Sequence, residues 1–285
     1  MNFETLATGY ELVEGPRTDE QNRLYFCDVL GGGVFRRSPS GEIETLMNDR
    51  SHVGGIALND DGGLLVTGTS LTYREEQSGK LREIFNQWEG KPLIGLNDLT
   101  VDKHGSIWVG SFGCDVHKFD IKNSSPPPGS LFRVDPNGEV THLWEGIEVT
   151  NGLGFSPDGK LLYHCDSSTR AVWAYEVNSD RTVSDRQIFA KLPDGMPDGM
   201  AVDIEGGVWV AVVAGQGEIV RFKPDGTIDQ RINVPARTVT SVAFGGPDMC
   251  DFYTVTANND QLDLKGTIFR SRSEVPGLPV PRARF

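Results

Sequence analysis

Apolar residues come in short runs along this chain, each cut off by a small polar turn, and the three- and four-residue spacing of a helix face is nowhere sustained. "GGIALNDDGGLLVTG" (54–68) sets the pattern: an apolar strand, a turn with Asp and Gly, a second apolar strand. "NDLTVDKHGSIWVGSF" (97–112), "NGLGFSPDGKLLYHCD" (151–166), "DGMAVDIEGGVWVAVV" (198–213) and "TSVAFGGPDMCDFYTVTA" (240–257) repeat it, and "EGPRTDEQNRLYFCD" (14–28) fits with a longer turn. That makes six units. Second hairpins lie between several of them, in "VFRRSPSGEIETLM" (34–47), "LFRVDPNGEVTHLW" (131–144) and "IVRFKPDGTIDQRINV" (219–234).

One unit is thus about four strands long, and units start roughly 40–55 residues apart, the period of propeller blades. The pattern predicts an all-β fold: a six-bladed β-propeller, its four-stranded blades set around a central channel, forming a single domain over residues 1–285. Two β-sandwich domains are the alternative, but no linker-like segment divides the chain. Two stretches interrupt the repeat. Residues 70–93 form the charged outer half of blade two. Residues 113–130, with a triple proline, join the second and third strands of blade three, where a long loop can form a lid over the channel mouth or a plain surface excursion.

Composition narrows the partners. With 285 residues, 38% of them hydrophobic, the chain can bury a large core. A formal charge of −13 opposes binding to nucleic acid or an anionic membrane surface. No apolar run approaches the ~18–20 residues of a membrane helix. "MNFETLATGYELVEGP" lacks the basic start and apolar stretch of a secretion signal. Cys27, Cys114, Cys165 and Cys250 are scattered without a CxxC pair, so they read as reduced, mostly buried thiols of a cytoplasmic protein. A monomer or small homo-oligomer is expected.

The residues that open the innermost strands carry the chemistry. They are Glu14, Gly54, Asn97, Asn151, Asp198 and, last, Thr240 or Ser241. Every innermost strand lies beside the channel axis, so these positions converge at one end. Four of the six bear a carboxylate or amide oxygen, which is what a hard divalent cation takes. At any single site, Asn or Asp before Gly also simply makes a turn. Glycine follows the opener in Glu14-Gly15, Asn151-Gly152 and Asp198-Gly199, where it allows a sharp turn into the strand and leaves space beside an ion.

"EGP" at 14–16, "ND…VD…G" at 97–105, "NGLGFSPDGKLLYHCDS" at 151–167, "PDGMAVD" at 197–203, "TSVAFGGPD" at 240–248 and the closing "VPGLPVPRARF" resemble the SMP-30/gluconolactonase/luciferin-regenerating-enzyme (regucalcin-like) family over essentially the full chain. The resemblance implies a six-bladed propeller with one divalent cation in the channel, Ca²⁺ first, with Zn²⁺, Mg²⁺ or Mn²⁺ as alternatives. It implies hydrolysis of a lactone, with Glu14, Asn151 and Asp198 as metal ligands and Asn97 as a polar contact to water or substrate; Asp98 would brace its loop. Two departures stand out. The family's aromatic after "EGP" is absent, Arg17 and Thr18 standing there. Its sugar-lactone members carry an arginine where this chain has Gly95. A lactone or ester less polar than a sugar lactone is therefore expected, with Arg17 able to supply charge from another blade.

Asp198 is the candidate for proton transfer, although a metal-bound carboxylate is a weak base. His52, before blade two in "RSHVGG", and His117, in the Pro-rich stretch, are further candidates for substrate contact. His164 reads as a packed or hydrogen-bonded histidine, and Asp28 and Asp166 as braces across blade entrances. No GxSxG motif is present and no helix follows the glycine turns, so neither a serine triad nor a phosphate cradle is supported. The rivals are a hydratase, isomerase or lyase on the same site, and a non-enzymatic calcium-binding or docking propeller.

Overall fold

The computed structural model describes residues 1–48, 50, 52–115, 125–257 and 265–285. Six antiparallel four-stranded sheets form a six-bladed β-propeller, with a small extra hairpin of Gln87–Trp88 and Lys91–Pro92. The innermost strands are Val13–Thr18, Ile56–Leu58, Leu96–Val101, Thr150–Phe155, Met196–Val202 and Val239–Gly245. Each touches the next, and the last touches the first, so they enclose the axis. The stretch 113–130 does join the second and third strands of blade three, Ile107–Ser111 and Gly129–Val134; half of the candidate lid, residues 116–124, lies outside the described residues.

The apolar runs are continuous because both faces of a blade's middle strands are buried. In Val208–Val213, Val208, Val210 and Val212 pack toward blade four, while Trp209 and Ala211 pack toward blade six. In Leu24–Asp28, Leu24 and Phe26 join blade six, while Tyr25 and Cys27 join blade two. Strand period two therefore feeds two different cores, and one such core fills each of the six gaps between blades.

Turn aspartates hold the blades from below. Asp102 accepts from His104 N and Ser106 N and from Trp108 Nε1, and Asp203 does the same with Glu205 N, Gly207 N and Trp209 Nε1. A buried indole thereby keeps its donor satisfied.

Two features were not expected from the pattern. The outermost strand of blade six is Glu4–Tyr10, paired with Gly266–Arg272, so both ends of the chain complete one sheet. The C-terminal segment then runs under the ring. Leu278 N donates to Val202 O in blade five, Ala283 N to Leu58 O in blade two and Arg284 N to Gly105 O in blade three.

Candidate active site

Five innermost strands share one irregularity. In blade one Glu14 faces Cys27 but Arg17 faces Tyr25, so three steps along the inner strand match two along its partner. The same single extra residue occurs between Leu96 and Leu99, Thr150 and Leu153, Pro197 and Met200, and Val239 and Ser241. A one-residue bulge bends a strand and re-aims a side chain. Glu14, Asn97, Asn151 and Asp198 stand at four of these bulges, which is why residues from four blades turn to one place.

The glycines answer to crowding between blades. A β-carbon on Gly152 would lie 2.6 Å from Met200 N and 2.7 Å from Asp198 O, and one on Gly54 would lie 2.0 Å from Asn97 Oδ1. Gly15 alone among the three predicted turn glycines has a left-handed φ, 58°. The expectation of a sharp turn therefore holds at Gly15, whereas Gly152 and Gly199 are required because a neighbouring blade occupies the space of a side chain.

Glu14, Asn97, Asn151, Asp198 and His52 line one cavity of about 310 Å³ at the upper mouth, with Leu12, Val29, Ile94, Phe112 and Val149 forming an apolar wall. Cys114 and Asp115, where the Pro-rich stretch begins, reach its edge. His52 takes a left-handed backbone, φ 63°, and its N–H donates to Val29 O at 2.8 Å. His117 lies outside the described residues.

Electrostatics set this cavity apart. Glu14 and Asp198 are both buried, and Asp98 is buried with them. Desolvation, the largest cause, and then the charge of Asp198 push the Glu14 carboxyl well above the usual carboxylate range. Desolvation and the charge of Asp98 do the same to Asp198. Asp98 is raised by burial, against the pull of the Arg17 guanidinium. It accepts from Leu99 N at 2.7 Å and pairs with Arg17 at 3.5 Å, so it is a third acid of the channel as much as a brace.

The amides are oriented by neighbours. Asn97 Nδ2 donates to Thr150 O at 2.7 Å and to Asn151 Oδ1 at 2.9 Å. Asn151 Nδ2 donates to Ser167 Oγ, which donates to Pro197 O at 2.6 Å, linking blade four to the residue before Asp198. Ser167 was not singled out from sequence; its only signal is its place after "YHCD". Asp28 accepts from Glu11 N, Leu12 N and Gly31 N, and Asp166 from Glu148 N and Val149 N, so both brace blade entrances.

Arg17 is not brought to this cavity. Its guanidinium donates to Pro16 O and Leu99 O and lines a second cavity, about 380 Å³, at the lower mouth. The strand turns over between Glu14 and Arg17, so neighbours in sequence face opposite ends of the channel. Arg17, expected above to supply charge to the substrate, thus stands at the lower cavity and apart from Glu14, Asn97, Asn151 and Asp198.

His164 is fully packed, with Nε2 2.7 Å from Thr150 Oγ1, as the strand pattern suggested. Burial, and secondarily the charge of Arg186, hold its pKa at about 3. Below the ordinary value near 6.5 the unfolded chain takes up a proton that the folded chain refuses, so stability falls as pH falls, by up to ~1.4 kcal/mol per pH unit. Between pH 6.5 and 5 the wild type should lose ~2 kcal/mol more, by urea midpoint, than His164→Gln. Glu14 and Asp198 act in the opposite sense, and the comparison cancels them. Equal losses in both proteins would refute this account.

Among the described residues no group of three or more His, Cys, Asp or Glu side chains is placed to hold a metal ion by itself. The candidate set is two carboxylates and an amide. It fits a hard cation on two counts: all donors are oxygens, and the buried acids outnumber the one guanidinium beside them. Among the described residues, no helix is long and apolar enough to cross a membrane.

Comparison with known proteins gives the lineage. Residues 12–258 match the family described as SMP-30/Gluconolactonase/LRE-like region. The pentonolactonase XacC of Haloferax volcanii is 33% identical over 97% of this chain and 96% of its own. A luciferin-regenerating enzyme structure superposes with a TM-score of 0.90 at 25% identity, covering 100% of this chain and 99% of that one. The calcium-binding protein regucalcin of Agrobacterium tumefaciens superposes with a TM-score of 0.85 at 25% identity, covering 99% and 97%.

Proposed function

Since this chain belongs to the SMP-30/gluconolactonase/LRE-like family, we propose that it is a lactonase which opens a cyclic ester in the upper cavity with the help of one divalent cation. The observation that carries the reading is the convergence of Glu14, Asn151 and Asp198, set on one-residue bulges of three blades, on one cavity. These three residues would hold the cation, Ca²⁺ first, with Zn²⁺, Mg²⁺ and Mn²⁺ as alternatives. When bound, it would polarise the lactone carbonyl and stabilise the negative charge that develops on its oxygen.

The chain's own residues do the rest. Asp198 takes a proton from the water that attacks the carbonyl carbon; the ring C–O bond then breaks and the departing alcohol oxygen receives the proton. Asn97 holds Asn151 Oδ1 toward the site through its Nδ2. His52 stands at the rim, where its ring can meet the substrate. Leu12, Val29, Ile94, Phe112 and Val149 offer apolar surface, and among the described lining residues there is no Lys or Arg. Such a wall favours a neutral lactone with an apolar substituent over a polyhydroxylated one, because buried hydroxyls without partners are costly. The free cysteines and the charge of −13 support a cytoplasmic enzyme without nucleic-acid or membrane partners, working as a monomer or small homo-oligomer.

The test is a panel of aliphatic, aromatic and sugar lactones assayed with each of the four cations and with a chelator. Turnover is expected to be highest on an apolar-substituted lactone, to vanish with chelator and to return with excess cation. Turnover that is indifferent to chelation would remove the cation from the reading. A gluconate-type lactone winning by a wide margin would remove the apolar preference.

A further inference from the structure

One guanidinium, that of Arg17, lies beside the buried acids of the channel. Arg17 Nη1 donates to Pro16 O at 2.8 Å, and Nη2 donates to Leu99 O at 2.9 Å and lies 3.5 Å from Asp98 Oδ1. Its Nε is buried with no hydrogen-bond partner among the described residues, and the guanidinium forms part of the lower cavity's lining. It thus reaches from the lower cavity to Asp98, held by backbone carbonyls of two blades. Glu14, Asp98 and Asp198 carry three negative charges in this enclosure when ionised, and Arg17 answers one of them. Two charges remain, which is what a single divalent ion neutralises.

We infer that Arg17 is a built-in counter-charge that offsets Asp98, so that the cation site presents a residual charge of two and takes one divalent ion. The inference rests on the cation reading above. Its physical content is a sign: Arg17 repels the ion, and Asp98 exists in part to cancel that repulsion. Removing a charge this close in a partly desolvated site changes affinity by about tenfold or more.

A double-mutant cycle read by calorimetric titration with calcium chloride tests it. Asp98→Asn leaves Arg17 unanswered and should weaken calcium binding about tenfold or more. Adding Arg17→Met to that variant should tighten binding again, to within about threefold of wild type. Adding Arg17→Lys, which keeps the charge, should leave binding as weak as in Asp98→Asn. A merely structural role for Arg17 predicts the reverse order, the double variant being worse than the single. Near-ultraviolet circular dichroism verifies each fold, and Arg17→Gln replaces Arg17→Met if that protein does not fold. Calcium affinity unchanged in Asp98→Asn, or no tighter in Asp98→Asn/Arg17→Met, overturns the inference. A wild type that binds none of the four divalent ions overturns the cation reading instead, and the inference with it.

Discussion

Asp198→Ala should lose essentially all lactone turnover, with kcat/KM falling by ~10³-fold or more, while the ring stays folded. Asp198 lines the upper cavity, is buried, and is assigned both to the cation and to the attacking water. Its removal deletes two roles at once, hence the size of the loss. Stability should move the other way. Glu14 and Asp98 both suffer the charge of Asp198 or impose their own on it, so the cation-free variant sheds a like-charge contact and should melt above the cation-free wild type. Added cation should raise the wild-type melting temperature and leave that of the variant nearly unchanged. Melting curves with chelator and with saturating cation, run beside an assay on the best lactone of the panel, supply both numbers. Turnover within tenfold of wild type would take Asp198 out of the mechanism.

Gly152→Ala should be strongly damaging although it adds a single carbon. The added carbon meets Met200 N, Asp198 O and the Gly199 carbonyl carbon at 2.6, 2.7 and 2.9 Å. All three belong to the backbone of blade five, so none can rotate away as a side-chain tip does. Either blade four or blade five must shift, at a cost of ~3 kcal/mol or more and a fall in Tm of about 6–12 °C. The shift also moves the peptide that carries Asp198, so activity should fall beyond what the loss of folded protein explains. Gly95→Ala is the control: its β-carbon would first meet Phe112 at 3.4 Å, an ordinary contact, and should change stability by less than about 0.5 kcal/mol. Similar melting temperatures for the two variants would contradict the crowding argument.

Much of this architecture is readable from the chain because blade strands announce themselves. Runs such as Val208–Val213 are apolar without interruption, and only a strand buried on both faces tolerates that. The convergence of Glu14, Asn97, Asn151 and Asp198 was equally legible, since each opens an innermost strand. The bulges were not, because an extra residue is defined only by counting against the partner strand. That count decides that Arg17 faces the lower mouth although Glu14, three residues earlier, faces the upper one. Asp98 was underrated for the same reason. At Gly152 the residue type is legible but the crowding by another blade is not, since that is a tertiary fact. The strand Glu4–Tyr10 is not legible in the sequence because its pattern is half exposed and its partner lies more than 250 residues away.

That last pairing has a consequence for how the molecule is made. Synthesis runs from the N-terminal side, so the segment that completes blade six leaves the ribosome long before its neighbour Gly266–Arg272, which lies more than 250 residues downstream. Until then the nascent chain carries an unmatched strand at one end and an open edge at the other. Such edges are sticky, and closing a loop of this length is slow. In the finished ring these two strands cover each other, so anything appended ahead of Glu4 bears directly on whether the circle shuts.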